Sequence, residues 1–124
     1  MMFFKSRGST GSDNNQFIPL VSLDILDEIE TKSQSKPVFI FKHSTRCGIS
    51  SMVWRRFQSS VKEYQGQMEC YYLDLLSFRE ISNAIASRYE IVHQSPQLIV
   101  IKNEIAVAHS SHYDILEINF QRFV

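Results

Sequence analysis

Cysteine is scarce in this chain: 124 residues contain two, Cys47 and Cys70. Two thiols do not build the disulfide framework of a small secreted domain. Charge of one sign is not in excess either. Thirteen Lys and Arg balance thirteen Asp and Glu, and Arg55-Arg56 is the only adjacent basic pair. Nothing global therefore draws the chain to nucleic acid or to an anionic membrane, and neither is expected as a partner. No apolar run is long enough to span a bilayer. Met1-Met2-Phe3-Phe4-Lys5 is too short for the apolar segment of a signal peptide. Internal repeats are lacking too. A protein of a reducing compartment, the cytoplasm, is the expectation. What is present, 44% apolar and 21% charged residues, suits one globular domain with a real core.

Lys5 to Gln16 is rich in Gly, Ser and Asn and cannot bury apolar area, so residues 1–16 are expected as a flexible polar tail and 17–124 as the domain. Phe17 to Val21 suits a short edge strand, where Pro19 is tolerated. Leu23, Leu26 and Ile29 have helical spacing, with Ser22 as the expected N-cap. Val38-Phe39-Ile40-Phe41 is apolar on both faces, as in a central strand covered by helices. Val53, Phe57, Val61 and Tyr64 form the buried stripe of a helix that stops at Gly66. Met68 to Leu73 is the next strand. Ser77-Phe78-Arg79-Glu80 matches a capping box and opens a helix with Ile81, Ala84 and Ile85. Gln97 to Ile101 and Ile105 to Ala108 are expected as an antiparallel pair about Lys102-Asn103-Glu104, with the turn type left open. Ser111 and Asp114 start a last helix bearing Ile115 and Ile118.

The order β-α-β-α-β-α-β-β-α is that of an α/β, thioredoxin-like fold with a central mixed sheet flanked by helices. In that frame Cys47 is the residue of chemical interest. It lies between the strand Val38–Phe41 and a strongly helical stretch, at or just before a helix N-terminus. The partial positive charge and free N–H groups of a helix end favour thiolate, the nucleophilic form. The fourth position of the motif is Ser50 rather than a second cysteine. One sulfur implies exchange with a mixed disulfide instead of closure of an internal one. Pro96 stands where thioredoxin folds carry a cis-proline beside the reactive cysteine, and the isomer of the Ser95-Pro96 bond is left open.

Three segments together resemble the monothiol bacilliredoxin family over about Phe17 to Val124: Phe41-Lys42-His43-Ser44-Thr45-Arg46-Cys47-Gly48-Ile49-Ser50, Glu90-Ile91-Val92-His93-Gln94-Ser95-Pro96-Gln97, and Ala108-His109-Ser110-Ser111-His112-Tyr113-Asp114-Ile115. The resemblance implies a thiol-disulfide oxidoreductase that removes bacillithiol, a low-molecular-weight thiol bearing malate, from protein mixed disulfides. Cys47 would attack the sulfur of the cap, release the client and carry the adduct until a second bacillithiol or a reductase frees it. Bacillithiol is then a co-substrate, the partners are bacillithiolated client proteins, and a monomer without metal is expected. The polar tail is not part of the family pattern, and Gly48 stands where members often carry Pro.

Around Cys47, Ser50 is expected to donate a hydrogen bond to the thiolate, or simply to cap the helix. Ser44, Thr45, Arg46 and Gly48 on the turn, with Ser95, Pro96 and His112, are the expected substrate-binding residues. Arg46 would add positive potential and meet a malate carboxylate, or be a solvated surface side chain. Cys70, in mid-strand, is expected as a small buried hydrophobe rather than a resolving cysteine. Trp54 lies off the helix stripe and is expected to be mainly structural. His43 is expected in the core or behind the site. The four histidines have no metal-ligand spacing with the cysteines. Two other readings remain open. Cys47-Gly48-Ile49-Ser50 differs by one residue from the Cys-Gly-Phe-Ser signature of monothiol glutaredoxins, which carry iron–sulfur clusters, although their Gly-Gly-Asp turn has no counterpart here. A redox-inert interaction module is the third.

Overall fold

The computed structural model describes residues 16–124. The polar segment 1–15 lies outside the described residues. Gln16, the first of them, donates from Nε2 to the Val61 carbonyl at 3.0 Å. Five strands, β1 (Phe17–Pro19), β2 (Val38–His43), β3 (Glu69–Asp74), β4 (Gln97–Lys102) and β5 (Ile105–Ser111), form one sheet in the order β1-β3-β2-β4-β5. β1, β3 and β2 run parallel; β4 is antiparallel to β2, and β5 to β4. Pro19 thus sits in an edge strand, where a missing N–H costs nothing. The helices are α1 (Asp24–Lys32), α2 (Gly48–Ser60) and α3 (Arg79–Tyr89).

The central strand explains the two-sided core. Side chains alternate along β2, so Val38 and Ile40 join Leu26 and Ile29 of α1 and Ile81 and Ile85 of α3 on one face. Phe39 and Phe41 meet Val53 and Phe57 of α2, with Ile115, Phe120 and Phe123 from the C-terminal segment, on the other. Each such apolar side chain contributes about 1.5–3 kcal/mol on burial. The strand runs two residues further than its apolar stretch. Lys42 continues the first face and His43 the second, both buried.

Several local expectations are corrected. Ser22 does not cap α1: the flanking residue is Leu23, already in helical conformation, and the helix is entered through Ile25 N–H to Ser22 O and Leu26 N–H to Leu23 O bonds. The Ser77/Glu80 capping box does not form. Ser77 Oγ donates to Asp74 Oδ2 at 3.0 Å, and Phe78 flanks α3 with no side-chain cap. The expected last helix is instead two 3-10 turns, His112–Glu117 and Phe120–Arg122, separated by extended backbone at Ile118 and Asn119. β5 runs three residues beyond Ala108. The hairpin turn has Asn103 at φ 51° and Glu104 at φ 68°, the paired left-handed conformation of a type I′ turn. Ser33 holds it: its carbonyl accepts from Asn103 N–H at 2.8 Å and its hydroxyl from Glu104 N–H at 2.9 Å.

Candidate active site

β2 ends at His43, and a four-residue turn delivers Cys47 to the N-cap of α2 at φ −108°, ψ 122°. The backbone of Cys47 is pinned on both sides. Its N–H donates to Ser44 O, and its carbonyl accepts the first helical bond from Ser51 N–H, each at 3.1 Å. The thiol is free and half-buried. No acidic residue occupies the first turn of α2, so the partial positive charge of that helix end is not neutralised within the helix. Thr45, Arg46 and Gly48 are exposed around the sulfur, and Ser44 is half-buried beneath them.

Ser50 is fully buried and faces back under the turn rather than toward the sulfur. Its Oγ accepts from Ser44 N–H at 3.1 Å and shares a 2.6 Å hydrogen bond with His43 Nδ1. The expected bond from Ser50 to Cys47 is replaced by this pair, which ties both ends of the turn together. His43 lies against the rings of Trp54 (centroids 6.2 Å apart, planes at 24°) and Tyr72 (5.7 Å). Burial holds its pKa below the usual 6.5, with Asp74 opposing, so the imidazole is neutral at pH 7. Trp54 also packs on Phe17, Phe41 and Tyr72, each with ring centroids within 5 Å; it is a half-buried structural lid over His43.

The second wall comes from β4. Lys42 pairs with Gln97, which sets Pro96 across from the end of β2 that feeds the Cys47 turn. The Ser95-Pro96 bond is cis, as the fold requires at this place. His112, exposed and at φ 56°, donates its N–H to Pro96 O at 3.0 Å, so the end of β5 is fastened to the proline. The structure thus gathers Ser44, Thr45, Arg46, Cys47, Gly48 and Ser50 on one turn, and brings Ser95, Pro96 and His112 together on the adjoining strand ends. Cys70 is elsewhere, in the middle of β3 opposite Phe39, where desolvation pushes its thiol up to about 12.

Two polar residues of this end were not singled out from the sequence. Lys42 is completely buried and donates from Nζ to Ser82 O at 3.1 Å; burial pulls its pKa down to about 8. Gln97, also buried, donates from Nε2 to Val92 O. The available signal was a polar residue at one end of each of two otherwise apolar strands, Lys42 near the end of β2 and Gln97 at the start of β4. Among the described residues no three His, Cys, Asp or Glu side chains gather so as to hold a metal ion, and no helix is long and apolar enough to cross a membrane.

The model of the monothiol bacilliredoxin family matches residues 18–119. A solved thioredoxin-fold protein, provisionally described as an oxidoreductase, is 30% identical over 85% of this chain and 91% of its own, with a TM-score of 0.75. Thioredoxin O2 from Arabidopsis thaliana in its oxidised state (17% identity, 84% of this chain, 89% of that one, TM-score 0.65) shares the fold. So does Fasciola hepatica thioredoxin (17%, 77% and 86%, TM-score 0.63). With most of its length matched, and with a lone cysteine at the strand-to-helix turn, the chain belongs to the monothiol bacilliredoxin family of thioredoxin-fold redox proteins.

Proposed function

We propose that the protein removes bacillithiol from protein mixed disulfides by a monothiol mechanism with Cys47 as nucleophile. The observation that carries this reading is the free, half-exposed Cys47 at the N-cap of α2, with Ser50 in the place of a second cysteine. In the first step the Cys47 thiolate attacks the bacillithiol sulfur of the client–S–S–bacillithiol bond. A Cys47–S–S–bacillithiol bond forms, and the client leaves as a thiolate that takes a proton from water. In the second, a free bacillithiol thiolate attacks the bacillithiol sulfur of that adduct. Bacillithiol disulfide leaves and Cys47 returns as thiolate; one disulfide is consumed and one formed, the electron gained by the client sulfur is the one lost by the incoming bacillithiol, and the capping sulfur keeps its oxidation state.

Ser50 cannot resolve the adduct, and Cys70 is 2% exposed with its thiol protonated at neutral pH, so the second thiol comes from outside. Arg46, exposed beside the sulfur, offers its guanidinium to a malate carboxylate. The backbone beside Pro96 offers an edge for the client, and His112 borders it. On this reading the partners are bacillithiol-capped proteins in a cytoplasmic, reducing compartment, met by a monomer. The test mixes a bacillithiolated client with reduced wild type or Cys47→Ser and follows intact mass. Transfer of the bacillithiol mass to wild type alone supports the proposal. A client that stays capped while a glutathionylated one is cleared overturns the choice of thiol.

A further inference from the structure

Ser50 Oγ makes two hydrogen bonds among the described residues, one from Ser44 N–H at 3.1 Å and one shared with His43 Nδ1 at 2.6 Å. Their directions follow from counting hydrogens. Ser44 N–H can only donate, so it occupies one acceptor site of the hydroxyl. The hydroxyl hydrogen then needs an acceptor, because Ser50 is fully buried and an unmet buried donor is costly. Nδ1 of the neutral ring is the acceptor within reach. Ser50 therefore donates to His43, and the ring carries its own hydrogen on Nε2. The bonds run in one direction, from Ser44 N–H to Ser50 Oγ–H to His43 Nδ1.

That chain of bonds closes on the reactive turn. Ser44 O accepts from Cys47 N–H, and Cys47 O accepts from Ser51 N–H. His43 ends β2 and Ser50 lies in the first turn of α2, so one side-chain bond joins the element before the sulfur to the element after it. A protonated ring reverses that bond. Nδ1 then carries hydrogen, Ser50 Oγ faces two N–H donors, and its own hydrogen loses its acceptor. The surroundings disfavour the charge as well. Trp54 of α2 and Tyr72 of β3 lie against the ring. Asp74, the neighbour of His43 across to β3, is the charged group that the ring feels, and both its oxygens already accept bonds, from Leu76 N–H and Ser77 Oγ. Lys42, the preceding residue of β2, reaches to the α3 side of the sheet instead. Burial outweighs Asp74 and keeps the ring neutral. An open turn that lets the ring reach water carries no such penalty, so acid favours the open form over the closed one.

We propose that His43 is the positioning residue of the exchange: as acceptor of the Ser50 hydroxyl it keeps the Cys47 turn closed on the N-terminus of α2, and the turn opens when the ring takes up a proton. The proposal rests on the reading of Cys47 as nucleophile, and not on the identity of the small thiol. His43 acts through Ser50 and the backbone of Ser44, without touching a substrate.

Two measurements test it. The first reads the His43 tautomer in reduced, ¹⁵N-labelled wild type by NMR at neutral pH. Hydrogen on Nε2 alone is expected; hydrogen on Nδ1 overturns the proposal whatever the activity. As the pH is lowered, the Ser44 and Cys47 amide signals should move with the same midpoint as the His43 ring. A ring that titrates while those amides stay still overturns it too. The second measurement follows reaction of the reduced protein with a small symmetrical disulfide, which needs no bacillithiol, in wild type, His43→Asn and His43→Leu. Asn presents an acceptor oxygen near the place of Nδ1 and does not titrate, whereas Leu presents none. At neutral pH the Asn variant should keep the wild-type rate within about 2-fold and the Leu variant should lose about 3- to 10-fold, as loss of one hydrogen bond implies. The ratio of wild type to His43→Asn, in which the loss of Cys47 thiolate common to both cancels, should fall as the ring protonates. A ratio that stays constant through the titration of the ring, or equal rates in the Asn and Leu variants, would make His43 a packing residue and contradict the proposal. Should these results hold while a bacillithiolated client stays capped, the choice of thiol falls and the positioning role stands.

Discussion

Cys47 and Cys70 carry the same thiol in opposite settings. Cys47 sits half-exposed at a helix N-terminus, while Cys70 is enclosed in mid-sheet with its thiol pushed up to about 12. Alkylation of the native protein at about pH 7.5, far below that value, should therefore add one label, at Cys47. Cys70 should react only after unfolding, and peptide mass mapping checks the assignment. Ser50 gives a second expectation. Ser50→Ala strips the buried His43 Nδ1 and the Ser44 N–H of their shared partner, at a cost of about 1–3 kcal/mol. Thermal unfolding should move down by several degrees; an unchanged midpoint would show that the pair does not hold the turn. The place of Cys47 was legible because strand, turn and helix follow one another directly in sequence. The partner of Ser50 was not. A serine three residues into a helix faces solvent, sulfur or the preceding turn equally well by spacing alone, and the choice is made by His43, which β2 brings underneath.

Among the elements, α2 begins with a glycine that its conformation does not need. A Cβ at Gly48 meets nothing within 4 Å, and its φ is not in the left-handed region. Cys47, at φ −108° and ψ 122°, already has the extended backbone that a following proline demands. Gly48→Pro places proline at the first helical position, where its fixed φ suits the helix and no intrahelical N–H bond is lost. Stabilisation by about 0.5–1 kcal/mol is expected from the reduced freedom of the unfolded chain, read as a raised denaturant midpoint; destabilisation would mean that the Gly48 N–H has a structural partner. The strands and three helices were legible from apolar spacing. Their ends were less so, because caps depend on geometry that spacing does not encode. Ser77 prefers Asp74 to its own helix, and the C-terminal segment, with Ile115 and Ile118 at helical intervals, is broken at Ile118 and Asn119 so that Phe120 and Phe123 can reach the sheet.

For the whole molecule, the layers on either side of the sheet leave one charge in an awkward place. Lys42 is enclosed between β2 and α3, and burial lowers its pKa from 10.5 to about 8. Between those values the unfolded chain binds more protons than the native one, so this residue makes stability rise with pH from about 8 to about 10.5. Below about 8 the full penalty is present. Lys42→Met should stabilise the protein at neutral pH by an amount on the order of 2–3 kcal/mol, and the gain should shrink as pH rises through that window. Comparing variant with wild type removes the opposing contribution of Tyr71, Tyr72 and Tyr89, whose raised values act alike in both. A gain that is flat with pH would mean Lys42 is solvated. The overall topology was legible because each β-α-β step and the final hairpin leave few alternatives. Lys42 was not, since a lysine after an apolar run suggests a strand emerging into water.

In the exchange we propose, one sulfur, Cys47, takes and holds the small thiol, and no second sulfur in the chain completes the reaction. The experiment exposes the reduced protein to one equivalent of bacillithiol disulfide and reads the non-reduced intact mass and peptide map. A single bacillithiol adduct on Cys47 that persists until more thiol is added is expected. Loss of two hydrogens with a Cys47–Cys70 bridge, or an adduct on Cys70, would contradict it.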